Sequence, residues 1–418
     1  MPERNLVCWN AMIVGYLHNE CFDRAVGLFR ELIREVSASV GSPDEVSFSG
    51  ALSACANGGE LLCGKQVHGL VIKHGVLHLA YVNSSLMDMY CKCGLLDDAI
   101  SLFRMVGGRY LVAWNVMIGG FCLYDKFEEA GNWFSAMTRG RVFPDEASYC
   151  SVLHASASLA GSVQGAAIHD HVIKSGFVNS VFVTASLITM YSNSGHLIEA
   201  FQVFEEIKDR NLICWTAIIA ACEQHGCGSQ TIGLFEEMLE QRIKPGYDAY
   251  THVISACSHT GRVEEGFRYF NSMTDVYGLA PDHEHYACMV ELLGRSGQLS
   301  KAKEFIEAMP IEARPEADRA LLRACINRGN LAIWEDAGGK LFGLESDNPE
   351  DYVLFPDLYT LKETLAGSSW LVIRNSTVVF SDSSRSHPRT GEIYQMLDNL
   401  HDLGKDRGYS GDTQYCFP

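Results

Sequence analysis

Two short stretches hold the side chains best suited to chemistry. His18-Asn19-Glu20 spells H-x-E, and "DHEHYAC" brings His283, His285 and Cys288 close together in the chain. An H-x-E followed by C-x-x-C is how zinc deaminases supply metal ligands and a general acid/base. The chain has 15 cysteines but no C-x-x-C, so His18 and Glu20 lack the partners that activating a water would require. A solvated turn between helices is the better reading. "DHEHYAC" offers three candidate ligands without a tetrahedral fourth. Tyr286 and Cys288 are expected to pack within a helix, with the two histidines facing outward. His68 and His169 each follow a glycine by four residues, at Gly64 and Gly165. They are expected to be packed or hydrogen-bonded core histidines rather than ligands. No phosphate-cradling glycine loop and no nucleophile constellation is visible. No catalytic residue, metal or cofactor is therefore assigned.

Bulk properties narrow the partners. The 418 residues carry a net charge of −18, with 47% hydrophobic and 20% charged residues. A protein that holds nucleic acid mainly by neutralising phosphates should be basic, so any such role here must rest on reading bases. No apolar run approaches the ~18 residues of a membrane-spanning helix, and no membrane partner is expected. The odd cysteine count argues against a disulfide framework. Cys8, Cys55, Cys122, Cys214, Cys222, Cys257, Cys288 and Cys325 fall in apolar segments and read as small hydrophobes in a reducing compartment.

Internal repetition shows what must position any site. "LVCWNAMIVG" at 6–15 returns as "LVAWNVMIGG" at 111–120 and as "LICWTAIIAA" at 212–221. A second kind of segment aligns without gaps, from "DRAVGLFREL" through "SKAKEFIEAM". Each copy puts a small residue four positions before a bulky one: Ala25/Phe29, Ala99/Phe103, Ala130/Phe134, Ala200/Phe204, Thr231/Phe235, Gly266/Phe270 and Ala302/Ile306. Such pairs share one helix face, where the small member lets a neighbouring helix approach and the large one fills the gap. Gly94, Gly195, Gly261 and Gly297 fall between the two helical segments, where a turn is needed. The unit is a helix–turn–helix hairpin, with boundaries 6–44, 45–79, 80–110, 111–145, 146–180, 181–211, 212–246, 247–282 and 283–312. Units of 35, 35 and 31 residues close a period of 101, the distance from the second decamer to the third; extra residues around "SASVG" at 37–41 lengthen the first interval to 105. Each hairpin has an apolar flank that it cannot cover alone, so the expected fold is an all-α solenoid superhelix.

Long and short hairpins in this alternation resemble the pentatricopeptide repeat family, specifically its plant PLS subclass. "VAWNVMIGGF…FPD" resembles a P motif, and "LSACANGGELLCGKQVHGLVIKHG" an L motif. "LMDMYCKCGLLDDAISLF" resembles an S motif. Residues 321–360 resemble the E extension, assigned here to 313–366 and apparently shortened; 367–418 resemble the start of a DYW domain, stopping before its zinc motifs. A small irregular C-terminal extension is expected there. Residues 1–5 read like the tail of a truncated repeat, so the chain is expected to begin inside an array. By resemblance, upstream repeats and an organelle transit peptide would precede it; neither is present in this chain.

The resemblance implies that the fifth residue and the last residue of a repeat meet one extruded base. Asn10 with Asp44 and Asn115 with Asp145 are the readable pairs, both preferring uracil, and Thr251 with Asp282 would suggest guanine. A carboxamide offers a donor and an acceptor to uracil, and the Asp can fix its orientation. The other view of these residues is ordinary: Asn near a helix start is often a cap, and "PD" is a common turn opening. The second residue of each repeat would sandwich the base. Val7, Val46, Val112, Phe182 and Ile213, with Tyr81 and Ala147, are apolar or aromatic there, whereas Asp248 and Glu284 should repel RNA.

Three functions fit this pattern. The leading one is a sequence-specific binder of single-stranded organellar RNA that recognises sites of C-to-U editing, mitochondrial or alternatively chloroplastic. A DYW-type deaminase or other editing factor would act in trans, and no small-molecule substrate is expected. The alternatives are a protein-binding helical scaffold and a nonfunctional fragment of a longer editing factor.

Overall fold

The computed structural model describes residues 5–35, 42–106, 108, 110–310, 314–328, 333, 368–373 and 376–381. Eighteen of the nineteen α-helices among them run in nine hairpin pairs. The pairs begin with α1 (Leu6–His18) and α2 (Phe22–Arg34), α3 (Glu45–Asn57) and α4 (Leu61–Lys73), then α5 (Ala80–Lys92) and α6 (Leu96–Val106). They continue with α7 (Leu111–Cys122) and α8 (Phe127–Arg139), α9 (Glu146–Ser158) and α10 (Ser162–Ser175), then α11 (Val181–Asn193) and α12 (Leu197–Glu206). The last are α13 (Leu212–Gln224) and α14 (Gly228–Glu240), α15 (Tyr247–Thr260) and α16 (Val263–Asp275), then α17 (His283–Arg295) and α18 (Leu299–Ala308). A further helix, α19, spans Arg314–Arg328.

The chain forms two compact units, Met1–Ala256 and Cys257–Pro418. In the first, successive odd-numbered helices pack on one another from α1 through α13, making one row. Each even-numbered helix from α2 to α12 packs against its own partner and against the next odd-numbered helix. That arrangement explains two different sequence textures. Odd-numbered helices such as α7, LVAWNVMIGGFC, meet neighbours on several sides and are apolar around most of their circumference. Even-numbered ones such as α2, FDRAVGLFRELIR, keep one face in water and are strongly amphipathic. Both members of every small/bulky pair in this unit are buried, from Ala25 and Phe29 to Thr231 and Phe235. Burying each phenyl ring contributes roughly 1.5–3 kcal/mol. Gly94 and Gly195 turn the chain between helices at φ +82°, a left-handed conformation that a side chain would strain.

The recurring decamer has a packing reason. Its tryptophan is the fourth residue of the odd-numbered helix, where it meets the bulky residue of the preceding even-numbered one. Trp114 lies edge-on to Phe103 with ring centroids 4.7 Å apart, and Trp215 lies likewise against Phe204 at 4.9 Å. Arg210 covers Phe204 with its guanidinium 4.5 Å from the ring centroid.

The second unit centres on α17, which packs with α16, α18 and α19 around Val290, Leu293, Ala302, Leu321 and Cys325. Gly294 lets α19 approach closely, because a Cβ there would sit 2.3 Å from the Ala324 Cβ. The C-terminal extension, expected to be irregular, thus begins with a helix that joins the core. It also holds an antiparallel hairpin of β1 (Ser368–Ile373) and β2 (Ser376–Ser381), with Trp370 paired to Val379. The remaining residues expected to resemble the E and DYW regions lie outside the described ones.

Candidate nucleic-acid interface

The two opening stretches stand in different surroundings. His18 ends α1 and Asn19 and Glu20 form the turn after it; all three are exposed, with Glu20 at φ +57°. His283 is exposed, but His285 is fully buried, which corrects the outward-facing expectation. The correction has a local cause. His285 stands three residues after Asp282, the N-cap of α17, and its Nδ1 lies 2.6 Å from Asp282 Oδ1. Around it the capping box is closed by the His285 backbone N–H to Asp282 Oδ1 at 3.3 Å and the Asp282 backbone N–H to His285 Nδ1 at 3.4 Å, contacts that draw the ring inward. No group of three or more His, Cys, Asp or Glu suited to a metal occurs among the described residues. His68 and His169 are half-buried and engage the hydroxyls of Tyr90 and Tyr191 at 2.8 and 2.9 Å.

The cysteines divide. Cys55, Cys214, Cys222, Cys257 and Cys325 are buried as expected, whereas Cys8, Cys122 and Cys288 are only partly covered. Burial pushes the Cys55 and Cys222 thiols up to about 12, so they stay protonated and inert.

The predicted base readers are brought together by helix packing. Asn115 is the fifth residue of α7, and Asp145 is the N-cap of α9. Asn115 donates through Nδ2 to both oxygens of Asp145, at 2.9 and 3.2 Å. Asn10 on α1 donates through Nδ2 to Oδ1 of Asp44, the N-cap of α3, at 2.9 Å. The aspartates also cap their helices, accepting from the backbone N–H of Ser47 at 3.0 Å and of Ser148 at 2.9 Å. The cap and the asparagine contact therefore coexist. Asn115 is half-buried, while Asn10 keeps only 9% of its surface.

A third member of each cluster escaped sequence reasoning. The Ser148 hydroxyl donates to Asn115 Oδ1 at 2.6 Å, and that of Ser47 to Asn10 Oδ1 at 2.6 Å. The available signal was the serine three residues after an N-cap aspartate, which reads locally as a capping box.

The members of the third pair fall in different units. Thr251 belongs to the first unit and hydrogen-bonds the Tyr247 carbonyl of its own helix at 3.3 Å; Asp282 belongs to the second and serves His285. The helices that carry these pairs also present an exposed apolar set. Val7, Val46, Tyr81, Val112, Phe182 and Ile213, the second residues of α1, α3, α5, α7, α11 and α13, are all exposed, Val7 by 74% and Ile213 least at 38%. On α7, Val112 stands three residues before Asn115, so the two share a face. Asp248, the second residue of α15, is an exposed carboxylate instead, and Glu284 is exposed on α17.

Burial pushes the Asp145 carboxyl up, but bonds from the Ser148 backbone and side chain and from Asn115 outweigh it. The carboxyl is held below its usual 3.8. Asp44 is lowered against burial by Ser47 and Asn10 in the same manner. A depressed carboxyl stabilises the fold above the unfolded pKa and loses that contribution as pH falls through the folded one. Wild type is therefore expected to melt higher than Asp145→Asn above about pH 4, with the gap closing as pH drops further. Thermal melts of both proteins across that range check the sign.

Models of known families match these hairpins. The PPR repeat matches residues 7–35, 84–109, 185–212 and 248–276, the PPR repeat family 110–158, and the pentatricopeptide repeat domain 209–260. The chain is a pentatricopeptide repeat protein. Among relatives in Arabidopsis thaliana, the pentatricopeptide repeat-containing protein At1g11290, chloroplastic, is 36% identical over 99% of this chain and 53% of its own length. At3g02330, mitochondrial, is 32% identical over 96% of the chain and 48% of its own length. The chain spans between about half and three fifths of the length of the curated relatives it matches. In fold, this repeat protein is similar to the crystal structure of the pentatricopeptide repeat protein PPR10 in complex with an 18-nt psaJ RNA element. The TM-score is 0.62 and the identity 14%, covering 85% of this chain and 57% of the other.

Proposed function

We propose that this pentatricopeptide repeat protein binds single-stranded RNA, one base per repeat, with uracil at the repeats of Asn115 and Asn10. The observation that carries the proposal is the bonded Asn115–Asp145 pair together with the exposed apolar set. A carboxamide held by a carboxylate stands next to apolar side chains that can stack on a base. RNA in the complex of the similar solenoid supports the same use of the fold. With a net charge of −18, phosphate neutralisation contributes little, and affinity comes from stacking and base edges. Binding weakens beyond residue 246, where Asp248 replaces an apolar side chain.

The biological role we assign is recognition of C-to-U editing sites in organellar transcripts, with a deaminase acting in trans. A mitochondrial site of action, with the chloroplast as alternative, accords with relatives whose names give both organelles. The binding test is retention of a random-sequence, single-stranded RNA pool against a duplex competitor. Retention that resists duplex RNA is expected; absence of retention would refute RNA binding. For the role, organellar transcripts from plants lacking the protein should contain cytidines that are normally converted.

A further inference from the structure

We propose that Phe143 is a further RNA-binding residue, whose ring stacks on the base held at the repeat of Asn115 and replaces the side chain that Ala147 lacks. The inference rests on the base-reading function proposed above. A base at Asn115 and Asp145 has Val112 beside it on α7, three residues before Asn115, and Ala147 on α9, two residues after Asp145. The second residues of α1, α3, α5, α7, α11 and α13 are Val7, Val46, Tyr81, Val112, Phe182 and Ile213, all exposed. From α1 to α13, only α9 carries a methyl group at that place. Ala147 is exposed too, but a methyl covers little of a base.

The missing surface is available from the loop that leads into α9. Phe143 is 85% exposed, the most of any large hydrophobic residue among the described ones. The backbone on either side of it is anchored. Val142 donates its N–H to the Met137 carbonyl of α8 at 3.2 Å, and Pro144 is buried. A residue before proline is held extended, and Asp145 is extended as well, at φ −105° and ψ −174°. With Pro144 turned inward, Phe143 faces solvent while the Asp145 carboxylate reaches Asn115. Two residues of chain keep the Cα atoms of Phe143 and Asp145 within about 7 Å of each other. Ring and reader can therefore serve the same nucleotide. An aromatic residue is not the rule at this place. Four residues before the second residue of α3, α5, α7, α11 and α13 stand Ser42, Leu77, Gly108, Val178 and Asp209. The ring and the alanine occur together, at one repeat. Stacking on a phenyl ring accepts any base, because every base has a π face.

The test titrates oligouridylate and oligoadenylate into wild type, Phe143→Ala, Phe143→Trp, Asn115→Ala and the double variant Phe143→Ala with Ala147→Val. Phe143→Ala should weaken binding of both homopolymers about tenfold, the scale of one lost base–aromatic stack. Its melt should match wild type, since the ring lies in solvent. Phe143→Trp keeps an aromatic face and should keep both affinities. Ala147→Val restores a branched side chain on α9 and should recover most of what Phe143→Ala loses. Asn115→Ala should weaken oligouridylate alone, which separates reading from stacking. Wild-type affinities in Phe143→Ala, or a double variant as weak as Phe143→Ala, overturn the role of the ring. Asn115→Ala that loses nothing with either polymer, beside a weakened Phe143→Ala, overturns base reading and leaves the stack in place. A wild type that holds neither polymer overturns both.

Discussion

Asn115→Ala is expected to weaken binding of single-stranded RNA carrying uracil at its repeat by about tenfold, the scale of one lost base hydrogen bond. Alanine removes the amide but leaves Asp145 capping α9 through the Ser148 backbone. The thermal midpoint should move little, which separates lost recognition from lost fold. Asn10→Ala should have the smaller effect, because Asn10 is the more covered of the two. Direct titration with RNAs that differ only at the paired nucleotide checks both statements. Equal affinity for uracil and cytosine in wild type and Asn115→Ala alike would remove Asn115 from the readers.

Trp215→Ala should cost about 3–5 kcal/mol, the range for emptying a fully buried indole site. Trp215 has no exposed surface and fills the space between α12 and α13 against Phe204. Its removal also exposes one side of the Phe204 ring on which Arg210 rests. Hairpins in a linear stack depend mainly on their neighbours, so the damage should be local. Amide hydrogen exchange is expected to accelerate across Leu197–Glu206 and Leu212–Gln224 while Glu45–Asn57 keeps its protection. Uniform acceleration through the first unit would contradict nearest-neighbour stacking.

How far the residues alone lead differs from site to site. The small/bulky pairs and the tryptophan of the decamer were legible because each follows the spacing of one helix turn. Asn10, Asn115 and their aspartates were legible only through the family resemblance, since an Asn near a helix start and a Pro-Asp turn are ordinary locally. His285 was misread for the opposite reason. Its contact is only three residues away, but an outward histidine and a capping one share the same pattern until packing around α17 is known.

By itself, the sequence determined the hairpin, its period and the apolar second residues, because all three follow from preferences acting over three or four residues. The Ser148–Asn115 bond joins residues 33 positions apart, and the Asn115–Asp145 bond residues 30 apart. Neither distance follows from local spacing. Both are set when α7 and α9 pack side by side, and that placement alone turns an ordinary helix cap into a clamp on a neighbouring amide.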